Sequence, residues 1–312
     1  RLANAFAIKD AKYNNALPYE TFLEALNRFK YIVPQGSPMY GIGNPYVKVS
    51  ISNCVVVEYP QDNISGIMET GKDLANLFKR RCGVGLPLDS LRPLNAIVSN
   101  SAGTSTGAWS FANYYSEVCR MIGQNGRRGA LMLTMNVLHP DIPQFIVMKR
   151  DTSRVTGANV SVMLTDEFMK AVENDEDWVC RWPLQTDVES VLEKGGNWQE
   201  YDAEPHLNQP IAYKKWVPTK RNKDVVLVSY KASELWHLIN ESAVMCAEPG
   251  LLFWDNYGNN LPANSYDEFR LVGVNPCVTK DTWVMTDKGA RQVESLIGVP
   301  FNAIVDGKSY AS

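Results

Sequence analysis

The sequence lacks any run of about 18 apolar residues, the length that a membrane-spanning helix needs, so no membrane association through such a helix is expected. It also lacks a surplus of positive charge. Lysine and arginine number 31 against 34 aspartates and glutamates, a formal net charge of −3. That leaves no basic field to grip a phosphate backbone and argues against DNA as a partner, while single nucleotides stay open. Histidine is scarce: His139, His206 and His237 are the three, none at ligand spacing from another, and they read as structural. Cysteines stand at positions 54, 82, 119, 180, 246 and 277, never at the close spacing of a zinc knuckle, so no metal site is expected. A secretory leader is missing too. Arg1-Leu2-Ala3-Asn4 is neither a start methionine nor a signal peptide and reads as the interior of a longer protein. Six thiols in such a chain point to a reducing, cytoplasmic setting, most of them buried and one or two chemically active.

What is present is the composition of a folded protein: 312 residues, 45% hydrophobic and 21% charged, enough for one large domain or two ordinary ones. Apolar periodicity predicts helices over Tyr19 to Phe29, Ile64 to Arg81, Trp109 to Ile122 and Ala232 to Ala247, with a short one through Ala171 capped by Thr165 or Asp166. Strands are predicted over Tyr46 to Tyr59 (one or two), Ala130 to Val137, Asn159 to Leu164 and Leu251 to Trp254. The alternation predicts an α/β architecture with many parallel strands. Trp182 to Lys223 is charged and poorly periodic and reads as an irregular insertion. From Cys277 onward the pattern changes to short β-like pieces, Thr282 to Thr286 and Phe301 to Val305, with turns at Asp287-Lys288-Gly289 and Asp306-Gly307. The boundary falls between Pro276 and Cys277.

Several segments have the chemistry of a nucleotide site. Lys79-Arg80-Arg81-Cys82-Gly83-Val84-Gly85 combines cations with glycines that allow close backbone approach, although a tight turn on a solvated basic face would look the same. Asn100-Ser101-Ala102-Gly103-Thr104-Ser105-Thr106-Gly107 and Gly123-Gln124-Asn125-Gly126-Arg127-Arg128-Gly129 flank one predicted helix with hydroxyl and guanidinium donors. Ile51-Ser52-Asn53-Cys54, His139-Pro140-Asp141-Ile142, Val155-Thr156-Gly157-Ala158-Asn159 and Asn275-Pro276-Cys277 complete the series.

In this order, from about Ser37 to Cys277, these motifs resemble the catalytic subunit of ribonucleotide reductases. The resemblance implies a ten-stranded α/β barrel that makes deoxyribonucleotides by radical chemistry. It places the thiyl radical at Cys277, the asparagine that bonds the sugar hydroxyls at Asn275, and one of two reducing cysteines at Cys54, whose partner would lie downstream. Ser37, Asn53 and Gly83 would line the ribonucleotide substrate. The effector deoxynucleotide or ATP would be held by Asp62 and Arg92, by Gln124 and Arg128, and by Lys79 reaching from a partner in a homodimer packed through the two helices at 64–81 and 109–122. Residues 92–100 and 123–129 would be the two specificity loops, within an effector region of about 62–129. Thioredoxin or glutaredoxin would be the reductant. The Asn-Pro-Cys and Gly-Arg-Arg-Gly-Ala-Leu-Met wording is most similar to adenosylcobalamin-dependent members; a large subunit served by a separate di-metal subunit is the alternative. The residue types suit that chemistry, because two thiols that close to a disulfide deliver the two electrons needed to replace a hydroxyl by hydrogen. Cys82, Cys119, Cys180 and Cys246 read as packing residues.

After Cys277 the family pattern breaks. The glutamate usual two positions on is replaced by Thr279, and Val278 to Thr286 resembles the opening block of an intein. The resemblance implies residues 1–276 as a reductase barrel fragment and 277–312 as a short β-rich intein start. It also implies that the Cys277 thiol attacks the Pro276 carbonyl in splicing. Cys277 would then leave with the intein, and the chain alone would neither splice nor reduce nucleotides. A splicing precursor as the main role, or a nucleotide-binding regulator without chemistry, are the other readings.

Overall fold

The computed structural model describes residues 1–122, 129–205, 209–220, 224–266, 271–274, 283–292, 295, 302–305 and 308–311. Three helices come first: α1 (Leu2–Asp10), α2 (Tyr19–Leu26) and α3 (Gly36–Gly41). The centre is a parallel sheet of β1 (Cys54–Val56), β2 (Gly83–Pro87), β3 (Ala130–Asn136), β4 (Asn159–Leu164) and β9 (Gly250–Phe253), in that spatial order. Parallel neighbours need crossovers, and α4 (Ile64–Phe78), α5 (Phe111–Met121) and α6 (Ile142–Val147) supply the first three. Strands covered on both faces read as continuous apolar runs, which is why β2 is buried at every position.

Helix α4 forms where the sequence expects it. Asn63 caps it by accepting the Gly66 amide at 2.8 Å, and Ile67, Gly71, Leu74 and Phe78 recur on the buried face. Gly71 has a packing reason: a Cβ there would stand 2.1 Å from the Tyr114 hydroxyl, so α4 and α5 touch backbone to side chain. Thr165 caps α7 (Asp166–Glu173) as expected. Between α7 and β9 lie β5 (Asp177–Trp182), α8 (Val188–Glu193), β6 (Gly196–Tyr201), β7 (Tyr213–Pro218), β8 (Val226–Lys231) and α9 (Ala232–Cys246); α10 (Trp254–Asn260) follows β9.

Two expectations are corrected. The span Trp182 to Lys223 is not irregular: β6 and β7 join β8 and β5 in a four-stranded antiparallel sheet of order β5-β8-β7-β6. Its outer strand β6 is exposed apart from Trp198 and β7 is half-buried at every position, so neither has a period-two signal. Directly opposed aromatics hold them instead, Trp198 against Trp216 at 5.4 Å and Tyr201 stacked on Tyr213 at 4.9 Å. Within Tyr46 to Tyr59 the strand is only Cys54–Val56; Tyr46 and Ile51 are exposed, and β propensity without a packing partner makes no strand. Gly83-Val84-Gly85 lies within a strand. It is the buried strand β2, paired with β1 on one side and β3 on the other.

Several contacts tie the two sheets together, among them Arg181 N to the Leu138 carbonyl at 2.7 Å and the Tyr230 hydroxyl to the Pro140 carbonyl at 2.9 Å, and Trp178 is the largest side chain among them. Trp178 on β5 is buried, donates its indole N–H to the Val137 carbonyl just past β3 at 3.0 Å, and meets Phe168 of α7 edge to face at 5.2 Å.

The tail forms a small antiparallel sheet of β10 (Trp283–Thr286), β11 (Gly289–Gln292), β12 (Asn302–Val305) and β13 (Lys308–Ala311), in spatial order β11-β10-β12-β13. The expected pieces and the turn at Asp287-Lys288 are there; the boundary at Pro276 and Cys277 lies outside the described residues. Among the described residues no helix is long and apolar enough to cross a membrane.

Candidate functional site

Parallel register brings four of the expected site residues to one place, the head of β1 and β2. Cys54 opens β1 opposite Gly83, which opens β2, and the Gly83 amide donates to the Asn53 carbonyl at 2.7 Å. Ser37, in the first turn of α3, docks from the side. Its amide donates to Asn53 Oδ1 at 2.9 Å and its hydroxyl to the Arg81 carbonyl at 2.6 Å. The Arg81 guanidinium lies over the Tyr40 ring at 4.4 Å, holding α3 against the strand heads. Cys54 is a half-buried thiol, with Asn53 Nδ2 3.9 Å from its sulfur. The Cys82 thiol is fully buried, and burial first, then the neighbouring Cys54, pushes its pKa up. Cys54 is thus the more accessible of two neighbouring sulfurs.

The second group forms beyond the opposite ends of the same strands. Asp62, past β1, and Arg92, past β2, meet in a bidentate pair: Arg92 Nε donates to Asp62 Oδ2 at 2.8 Å, Nη2 lies 2.7 Å from the same oxygen, and the Arg92 amide donates to Oδ1 at 3.0 Å. Arg92 Nη1 also donates to the Ile97 carbonyl at 2.7 Å. Ile97 belongs to a small hairpin: Asn95 N donates to Ser105 O (2.9 Å), Ser105 N donates to Ala96 O (2.8 Å), and Ile97 bridges Thr104. The loop expected as glycine-bearing at 100–107 is the return limb of this hairpin. Strand β2, with five residues, separates the two groups by roughly 16 Å. Lys79 caps the end of α4 and is exposed.

Sequence reasoning missed what lies under the hairpin. His139 is fully buried; its Nδ1 accepts the Asp141 amide at 3.1 Å, so Nε2 carries the proton and donates to the Leu91 carbonyl at 2.9 Å. Asp141 accepts from Leu94 N at 2.8 Å and Ala108 N at 2.7 Å, and Asp89 accepts from Asn136 N at 2.6 Å. Burial pushes both carboxyls up to about 7, against the backbone donors that favour ionisation. Burial likewise lowers the His139 pKa to about 4, outweighing the Leu91 carbonyl and the charge of Asp62. A depressed imidazole stabilises the fold while neutral, above about 6.5, and that contribution is lost as pH falls toward 4. NMR titration should show His139 neutral at pH 5.5; an imidazole titrating near 6.5 would sink this assignment. Both residues stood in the motif His139-Pro140-Asp141-Ile142, where His139 reads as structural and Asp141 has no assigned role.

Cys277, Asn275, Gln124, Arg128 and His206 lie outside the described residues. Among the described residues, no group of three or more histidines, cysteines, aspartates or glutamates could hold a metal ion.

The site thus lies in a parallel α/β sheet, with a thiol at the head of its edge strand and an acid–guanidinium pair past the other end. The family model for the ribonucleotide reductase barrel domain matches residues 52–279, and the chain belongs to that family. It is 28% identical over 260 residues (81% of the chain) to a vitamin B12-dependent ribonucleoside-diphosphate reductase of Thermoplasma acidophilum. It is 24% identical over 277 residues (87% of the chain) to the ribonucleoside-diphosphate reductase large chain of Cryptosporidium parvum, and 25% identical over 243 residues (76%) to that of Neurospora crassa. The aligned part amounts to 28%, 32% and 24% of those relatives' own lengths.

Proposed function

We propose that the complete protein is a cytoplasmic oxidoreductase that reduces ribonucleotides to deoxyribonucleotides for DNA synthesis by thiyl-radical chemistry. The observation that carries this reading is the half-buried Cys54 thiol beside Asn53, Ser37 and Gly83 in a chain of the reductase family. The overall exchange balances: ribonucleotide plus two thiols gives deoxyribonucleotide, a disulfide and water, and an external dithiol such as thioredoxin or glutaredoxin restores the thiols. Cys54 is one of the pair; its partner belongs to the remainder of the protein. Asn275 bonds the ribose hydroxyls, and the radical cysteine occupies the place of Cys277. The relatives' names favour a diphosphate substrate.

Asp62 and Arg92 are the described part of the effector site, joined by Gln124 and Arg128 and by Lys79 of a second copy. Exposed Ile64 and Met68 on α4 and Met121 on α5 support a homodimer through these helices. An effector that reshapes the loops couples two sites through mobile elements.

Adenosylcobalamin is the proposed radical source, on the similarity to the Thermoplasma relative. No described residue is assigned to holding it. Residues 277–312 are read as the start of an intein, whose excision brings the next cysteine to the radical position. The antiparallel pairing of β10 to β13 and a family match that stops at residue 279 support that reading.

The full-length, spliced protein should form deoxynucleotide anaerobically with adenosylcobalamin, a dithiol and no second subunit. Product only after addition of a di-metal subunit would replace the cobalamin assignment; no product under either condition would sink the reductase reading. An intact mass that still includes residues 277–312 in active enzyme would sink the intein.

A further inference from the structure

The hairpin that carries the Arg92–Asp62 pair is not held by its own hydrogen bonds alone. Its two ends converge on one side chain from another part of the chain. Asp141 Oδ1 accepts the Leu94 amide on the way in, at 2.8 Å, and Oδ2 accepts the Ala108 amide on the way out, at 2.7 Å. Asp141 occupies the N-cap position of α6, yet its side chain makes no cap bond to its own helix; the whole carboxylate is turned to the hairpin. It is 2% exposed, so water does not compete for those amides. Gly107 clears the space: its φ is +90°, and a Cβ there would stand 2.6 Å from Asp141 Oδ2. From the same turn, His139 grips the Leu91 carbonyl.

We propose that Asp141 is the positioning residue of the effector site, the single carboxylate that fixes both ends of the 94–108 hairpin and thereby sets where Arg92 meets a nucleotide. The proposal rests on the reading that Asp62 and Arg92 hold an effector. Asp141 touches neither nucleotide nor reacting atoms; it acts through Leu94 and Ala108. A carboxylate suits the place because it accepts at both oxygens, whereas an amide of the same shape presents one NH2 that faces a backbone N–H and repels it. With the two ends unfastened, the hairpin must be ordered by the effector itself, and that ordering weakens binding.

The test uses the full-length enzyme with dATP and dTTP as effectors, reading effector affinity, the ratio of stimulated to unstimulated turnover, and the substrate preference each effector imposes. Asp141→Asn should raise the effector concentration for half-maximal stimulation about tenfold or more and flatten the substrate preference, with unstimulated turnover within about twofold of the parent. An Asp141→Asn enzyme that folds and responds to effectors like the parent overturns the proposal. Should that variant fail to fold, Ala108→Pro deletes one of the bonded amides at a helix-start position where proline is tolerated, and it should shift the same readouts in the same direction. Hydrogen exchange on the unaltered enzyme is an independent arm: Leu94 and Ala108 amides should be protected without effector, and exchange as fast as the hairpin tip would overturn the proposal. Arg92→Ala separates the underlying reading. Unchanged effector affinity in that variant would remove the effector site itself, whatever Asp141 does.

Discussion

Cys54→Ser in the complete enzyme should reduce dithiol-driven multiple turnover by at least about 10³-fold, because a serine hydroxyl cannot close to a disulfide and the two electrons have no source. Effector affinity should stay at the parent value, since Asp62 and Arg92 lie beyond the far end of the strand that Cys54 opens. Packing should barely change, as oxygen for sulfur at a half-buried strand head removes little volume. Steady-state turnover with a thioredoxin system, beside effector binding by equilibrium dialysis, checks both halves. Turnover within tenfold of the parent would remove Cys54 from the redox chemistry and favour a nucleotide-binding role without it. Cys82→Ser is the internal control. That thiol is buried, with its pKa raised, and its Sγ lies 3.4 Å from the carbonyls of Ser52 and Gly83, so its replacement should leave turnover near the parent rate.

Trp178→Ala should be the most destabilising single change at the junction of the two sheets, costing about 3–5 kcal/mol. Three losses combine: the buried indole, its hydrogen bond to Val137, and its edge contact with Phe168. The void opens where α7 and β5 leave the parallel sheet. Trp178→Phe keeps most of the apolar contact but leaves the Val137 carbonyl without its donor, a cost of about 1–3 kcal/mol. Urea unfolding followed by circular dichroism ranks the variants. An alanine variant less than about 1 kcal/mol below the parent would mean that the sheets are joined elsewhere.

The parallel sheet and its first crossover helices were legible because strands buried on both faces must be apolar and a helix on a sheet must repeat every 3.6 residues. Ile67, Leu74 and Phe78 on α4, and the runs in β3 and β4, carry that signal directly. The β6–β7 hairpin was not legible. Its stability comes from Trp198 opposite Trp216 and Tyr201 opposite Tyr213, pairs separated by more than ten residues of polar chain. A single segment contains only half of each pair.

The same division holds at the site. Motif order by itself singled out Ser37, Asn53, Cys54 and Gly83, and Asp62 with Arg92, as candidates for two sites. Their juxtaposition depends on register: Cys54 reaches Gly83 because β1 pairs with β2 in parallel, and Asp62 reaches Arg92 across 30 residues because both chains leave that pair at the same end. His139 and Asp141 belonged to the same motif series, but no role was attached to them. An aspartate at a helix start is locally an N-cap, and only the folded chain turns its carboxylate away from α6 to bind Leu94 and Ala108. Residue types and their spacing along the chain determined which chemistry this protein is equipped for. Tertiary packing decided which of those residues meet, because hydrogen bonds between distant segments form only after the strands have set their ends side by side.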